Sequence, residues 1–153
     1  MAHIENIPEP TRSTILNLEC PSPQSHPFVN GPPLAQRRVA IITSAALHSR
    51  NEPPFPAGST GFRELASSMS AGDIVMSHVS INFDRAGFQR DINVVLPVDR
   101  LRELVAEGRI GSVAATHFTV MGSTDPAAMA EAADGMAASM KADKVNAVVL
   151  TPV

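Results

Sequence analysis

An α/β fold, built on a mostly parallel sheet of about four or five strands with flanking helices and cut short at its carboxyl end, is predicted by three features. Runs of β-branched and small residues ("RVAIITSAAL", "DIVMSH", "SVAATHFTV" and "NAVVLT") are bounded by turn-forming residues, as in strands buried on both faces. Segments with helical spacing separate several of them, an alternation that favours parallel pairing through right-handed crossovers. The last run finishes at Val153, where a buried strand ordinarily hands on to a loop and a covering helix.

Residues 1–36 hold seven of the thirteen prolines and little periodicity, so they read as an extended or irregular arm. Its Ile15, Leu16, Leu18, Phe28 and Val29 provide apolar surface for docking. From residue 37 to 153 the chain reads as one α/β domain, incomplete at its carboxyl end. "RVAIITSAAL" is its first strand. A Pro/Gly-rich loop covers 51–61, a short helical or irregular piece covers 62–69, and a second strand starts at Asp73. After the polar loop "INFDRAGFQRD", residues 92–96 read as a short strand or an extended lead-in, and Pro97 marks a helix start. Val98, Leu101, Leu104 and Val105 then share one face, Arg100, Arg102, Glu103 and Glu107 turn outward, and Gly108 closes the helix. "SVAATHFTV" is the next strand. Thr124 or Asp125 ahead of Pro126 signals the cap of an Ala-rich helix, with Met129, Ala132, Ala133, Met136 and Met140 as its buried stripe. "NAVVLT" is the final strand.

With 153 residues, 44% of them hydrophobic, the chain has the material for one core. A net charge of −3, with no basic cluster beyond Arg37-Arg38, argues against a nucleic-acid partner. No apolar stretch approaches the ~20 residues that span a bilayer, and the first residues lack a secretory pattern. A cytoplasmic protein is therefore expected. The single cysteine, Cys20, forms no intramolecular disulfide and no Cys-based zinc cluster within this chain. No HxxxH or HxH spacing supports a metal site, and the nucleotide-binding, nucleophile-elbow and dithiol motifs are absent.

In open parallel sheets, ligands collect beyond the carboxyl ends of the strands. That rule nominates Thr43, Ser44 and His48, then Ser77 and His78, then 117–122, and finally 151–153, with Thr151 and His48 as substrate contacts. Each has a plainer reading. His78 and His117 suit hydrogen-bonded structural histidines equally well. Asp91 and Asn93 suit a cap or turn as well as a substrate contact, and Asp99 is favoured in a first helical turn for its charge alone. Arg63 and Arg100 have the geometry to hold a carboxylate, yet surface ion pairs are the commoner fate of arginine.

The run "SHVSINFDRAGFQRDINVVLPVDRLRELVAEGRIGSVAATHFTVMG" resembles the selenoprotein B family of glycine, sarcosine, betaine and D-proline reductases, with the D-proline branch nearest. "RVAIITSAALHSR", "GFRELA" and "KVNAVVLTPV" extend the likeness over nearly everything after the arm. The resemblance implies that the last strand runs into a loop bearing a catalytic selenocysteine, or cysteine in some members. The nucleophile position would then lie just after Val153, as in a product ended at a UGA codon, and the chain alone would be inactive. It further implies a small amino acid or N-methylated glycine as substrate, cleaved at its C–N bond. Companion reductase subunits would be partners, one of them carrying a pyruvoyl group as electron sink. Within this chain, it makes His78 and His117 candidates to orient substrate or move protons, and Asp91, Asn93 and Arg100 candidates to position it. A homo-oligomer is also expected. The competing expectation is a non-catalytic α/β subunit or binding module that completes its sheet with a partner.

Overall fold

The computed structural model describes residues 3–19, 22, 24, 28–80 and 85–153. Cys20 and part of the polar loop before Arg85 lie outside the described residues. The strands are β1 (Arg38–Thr43), β2 (Leu47–Ser49), β3 (Phe62–Ala66), β4 (Ile74–Met76), β5 (Ser112–Val113), β6 (Thr116–Val120) and β7 (Ala147–Thr151). The helices are α1 (Thr11–Leu16) in the arm, α2 (Ala86–Arg90), α3 (Val98–Ala106) and α4 (Ala130–Ala142).

β1 is the central strand, and Val39, Ala40, Ile41 and Thr43 are all buried. β7 pairs with it in parallel along one edge, from Val39↔Ala147 to Thr43↔Thr151. β5 and β6 share the other edge, also in parallel. Beyond β6 lies β3, which is antiparallel. The sheet is thus mainly parallel and five-stranded, as expected, but residues 62–69 begin as a strand rather than as a helical or irregular piece. Arg, Glu, Leu and Ala favour helices, yet pairing with β6 and the burial of Leu65 override that weak preference. Phe62 closes the edge by packing on Phe118, ring centres 5.9 Å apart.

Two other expectations change. "RVAIITSAAL" is not one strand: the chain turns at Ser44–Ala46 and continues as β2, which pairs antiparallel with β4 in a separate ribbon. Residues 92–94 form a 3-10 turn instead of the short strand or extended lead-in expected, capped by the Asp91 carboxylate, which accepts from Asn93 N–H at 2.9 Å.

The register across β1 and its β5/β6 neighbour changes partway. Val39 faces Val113, but Ile42 faces Phe118, so two extra residues are accommodated near Ala114 and Ala115. An Arg38–Asp143 pair at 2.7 Å secures this bulge. Asp143 also accepts from Ala115 N–H, while Arg38 donates to Val113 O.

One sheet face packs against α3 and the β2/β4 ribbon through Val39, Ile41, Leu47, Leu65, Ile74, Val98 and Leu101. On the other face, Met136 of α4 packs on Phe118 and Val120, while Ala133, expected in that stripe, is exposed. Both long helices end in the same hydrogen-bonded turn. Gly108 N–H donates to Val105 O and Arg109 N–H to Leu104 O; Lys144 N–H donates to Lys141 O and Val145 N–H to Met140 O. Among the described residues no helix is long and apolar enough to cross a membrane.

Candidate functional site

The carboxyl ends of β1, β6 and β7 converge on Ser44. Its N–H donates to Thr151 O at 3.2 Å and its carbonyl accepts from Gly122 N–H at 2.9 Å. Its Oγ accepts from Val153 N–H at 2.9 Å. The turn that follows is tightly specified. Ala46 is fully buried with φ +51°, a left-handed conformation uncommon for a side chain bearing Cβ. Ala46 N–H donates to Val120 O, and its carbonyl accepts from both the N–H and the hydroxyl of Ser77. Thr43 and Thr119 hydroxyls accept from Ala45 and Leu47 N–H on the same face of the sheet. The in-register Thr151 hydroxyl is buried with no hydrogen-bond partner among the described residues.

His78 follows β4 and is 3% exposed. Its Nδ1 accepts from Ser80 N–H at 3.1 Å, which assigns the proton to Nε2. Burial, with Arg85 adding to it, pulls its pKa below the ordinary histidine value, so the ring is neutral near pH 7. Nε2 is turned to Gly122, where a Cβ would stand only 2.4 Å from it and 2.9 Å from Ser44 O. Glycine is therefore required for the ring to lie against the strand end.

His117 occupies a different place. Its Nδ1 accepts the Ile41 N–H at 3.1 Å, so the ring replaces a ladder bond of β1 where the bulge interrupts the pairing. Burial, reinforced by the Arg102 charge, holds its pKa down at about 4. Gly122 lies five positions further along the chain, at most roughly 16 Å away at 3.3 Å per residue. The two histidines nominated together are thus not adjacent along β6.

Asp91, Asn93 and Asp99 do come together, away from Ser44. Asn93 Nδ2 bridges Asp91 Oδ1 and Asp99 Oδ2, and its Oδ1 accepts from Asp99 N–H. Hydrogen bonds from Asn93 are the main cause that lowers both carboxyl pKa values. Arg102 joins Asp99 to the carbonyl of Ser67, beside the Ala66↔Thr116 pair at the start of β6. A cavity of about 300 Å³ adjoins this cluster, lined in part by Ser67, Met69, Ile92, Leu96, Asp99 and Arg102. Arg100 is exposed and paired with Glu103 at 2.8 Å. Arg63 donates to Pro53 O and stacks over Phe55. His48 is buried in β2, with Nδ1 donating to Ser49 O and Nε2 without a hydrogen-bond partner among the described residues. No group of three His, Cys, Asp or Glu among the described residues is arranged to hold a metal ion.

Sequence reasoning located the strand ends but not Ser44 as the point where they are joined, nor the close approach at Gly122. The "MGS" triplet after an apolar run carried that signal, because a glycine there marks backbone packed against a neighbour.

Fold and edge together define an open α/β domain with threonine and serine hydroxyls and an imidazole gathered at the carboxyl ends of its strands. The chain belongs to the glycine/sarcosine/betaine reductase selenoprotein B (GRDB) family, whose model matches residues 33–153. It is 31% identical over 121 residues to D-proline reductase subunit gamma of Acetoanaerobium sticklandii, a match covering 77% of this chain and 49% of that protein. It is 29% identical over 123 residues to glycine reductase complex component B subunit gamma of Carboxydothermus hydrogenoformans, covering 77% and 28%. With sarcosine reductase complex component B subunit beta of Peptoclostridium acidaminophilum it shares 30% identity over 125 residues, again covering 77% and 28%. The chain thus spans about half the length of the first relative and little more than a quarter of the other two. No solved structure matches it.

Proposed function

We propose that this chain forms the α/β scaffold and one wall of the substrate pocket of an amino-acid reductase. In this reading the nucleophile, a selenocysteine or cysteine, comes from polypeptide following Val153. The observation that carries the reading is the convergence of β1, β6 and β7 on Ser44 beside His78, at the sheet edge where α/β folds bind ligands. The names of the relatives, which are subunits of D-proline, glycine and sarcosine reductases, support the substrate class. Cys20, in the Pro-rich arm, is assigned no part in the chemistry.

The reaction follows from the nucleophile's properties. A selenol ionises more readily than a thiol and offers a soft, strongly nucleophilic anion at neutral pH. It forms a bond to the substrate α-carbon as the C–N bond breaks, and nitrogen leaves with the bonding pair and takes up a proton. His78, neutral and carrying its proton on Nε2, is suited to donate a hydrogen bond to the substrate carboxylate or to orient the departing nitrogen. Thr151 is assigned a second hydrogen bond through its hydroxyl, which has no partner among the described residues. His117 supports the strand from within the sheet, and Asp91 and Asn93 hold the start of α3. Companion subunits complete the complex. A pyruvoyl group on one of them would supply an electron sink; the edge described here offers hydroxyls, amides and an imidazole suited to a carboxylate, and no residue of this chain is assigned to carry that group.

The coding sequence tests this reading. A UGA after the Val153 codon, with the frame continuing into a cysteine-containing loop similar to the family, is the expected result. A UAA or UAG with no similar continuation would overturn it. That outcome would favour a second reading, a non-catalytic subunit that adds a partner's strand to β7, whose Val148, Val149 and Leu150 are 41%, 37% and 70% exposed.

A further inference from the structure

We infer that Ser44 is a positioning residue whose side chain sets the direction in which the backbone leaves β7. Three of its groups act on two neighbouring strand ends. The backbone N–H holds Thr151 O, the carbonyl holds Gly122 N–H, and Oγ alone reaches past the strand to Val153 N–H at 2.9 Å. The hydroxyl also lies 3.5 Å from Val153 O, so one side chain brackets both polar groups of a single residue.

Val153 has left the regular ladder, which ends at Thr43↔Thr151. Without Oγ its amide would have no protein partner among the contacts described, and the exit direction would depend on the packing of its side chain against the α3-side core. With Oγ in place, Val153 is held at the end of β1 by the same residue whose carbonyl holds Gly122, the glycine against which the His78 ring lies. The catalytic consequence rests on the functional reading above: the residue after Val153 would then be delivered beside His78, and small errors in such placement are costly to rate.

Alanine at position 44 isolates this effect, because both backbone hydrogen bonds survive the substitution. In the 153-residue protein, amide exchange at Val153 is expected to accelerate about tenfold in Ser44→Ala, the equivalent of one lost hydrogen bond, while Val149 exchange is unchanged. Ser44→Thr, which keeps a hydroxyl, restores the protection. In the reductase that includes the residues after Val153, Ser44→Ala lowers kcat for amine release about tenfold or more with KM for the amino acid nearly constant. Iodoacetamide alkylation of the nucleophile changes in rate with it. Unchanged Val153 exchange, or unchanged kcat in an active enzyme, overturns the inference. A wild-type reductase that releases no amine instead defeats the functional reading, and Ser44 is then judged by Val153 exchange alone.

Discussion

His117 shows how much one side chain decides. Its Nδ1 takes the Ile41 N–H, so the imidazole cannot be protonated at that nitrogen without breaking a bond inside the central strand. The folded-state pKa of about 4 lies below the ordinary value of 6.5, so the unfolded chain binds the proton more readily. This stability is therefore complete above about pH 6.5 and is lost as pH falls from there toward 4, at about 1.4 kcal/mol per pH unit and about 3 kcal/mol in all. His78 shifts in the same direction and adds to the trend. The carboxyls of Asp99 and Asp143, lowered by their hydrogen bonds, lose their contributions only at lower pH still. Urea unfolding at pH 7 and pH 4.5 is expected to show a clear drop in midpoint, reduced in His117→Asn, whose Oδ1 keeps an acceptor for Ile41. Equal midpoints at the two pH values in the wild type would contradict this. The sequence marked His117 as notable but could not assign its place: in the one-dimensional pattern, a histidine in a ladder and one facing substrate look the same. Asp91, Asn93 and Asp99 were equally ambiguous until Asn93 was seen to bridge the two carboxylates.

At the scale of elements, the strongly periodic pieces were legible. α3 carries its apolar stripe where the spacing put it, and Asp125 caps the approach to α4 by accepting from Ala127 N–H at 2.9 Å. β3 and the break between β1 and β2 were not legible. The first is an edge strand made of helix-favouring residues, and the second is a turn through Ala46, which has none of the glycine or asparagine that ordinarily announces a left-handed residue. Lys144 is a comparable case at the end of α4, with φ +57° where α3 has Gly108 at +69°. A non-glycine residue there carries a steric cost of about 1 kcal/mol. Lys144→Gly is accordingly expected to raise stability by about 0.5–1 kcal/mol in urea unfolding, despite the added freedom of the unfolded chain. A loss of stability would show that the Lys144 side chain contributes more than its backbone strain removes.

The molecule as a whole is unevenly covered. α4 shields β6 and β3, with Gly135 allowing the Phe62 ring to approach the helix, but it does not shield β7. Val148 and Leu150, in register with Ala40 and Ile42, stand on the same face as α4 and are exposed. An edge strand with open apolar side chains invites pairing. About 100 Å² of such surface corresponds to about 2.5 kcal/mol at ~25 cal/mol per Å². The isolated chain is expected to self-associate in sedimentation velocity, and Leu150→Lys to shift it to monomer; a wild type that stays monomeric at high concentration would contradict this. The arm is exposed at Leu16, Leu18, Phe28 and Val29, so its apolar residues remain available for contact. The sequence pattern showed that "NAVVLT" was a strand, and only the pairing showed that it sits at an edge, because a buried run and an uncovered one have the same composition.

Amine release tests the central claim most directly. The product of the proposed longer reading frame, with the proposed selenocysteine, is incubated with a reductant and the proposed companion subunits on a panel of glycine, sarcosine, betaine and D-proline. Release of the amine, or ring opening of D-proline, by the full product and not by the 153-residue chain is the predicted result. Turnover by the 153-residue chain alone, or no turnover of any of these substrates by the full product, would contradict the account.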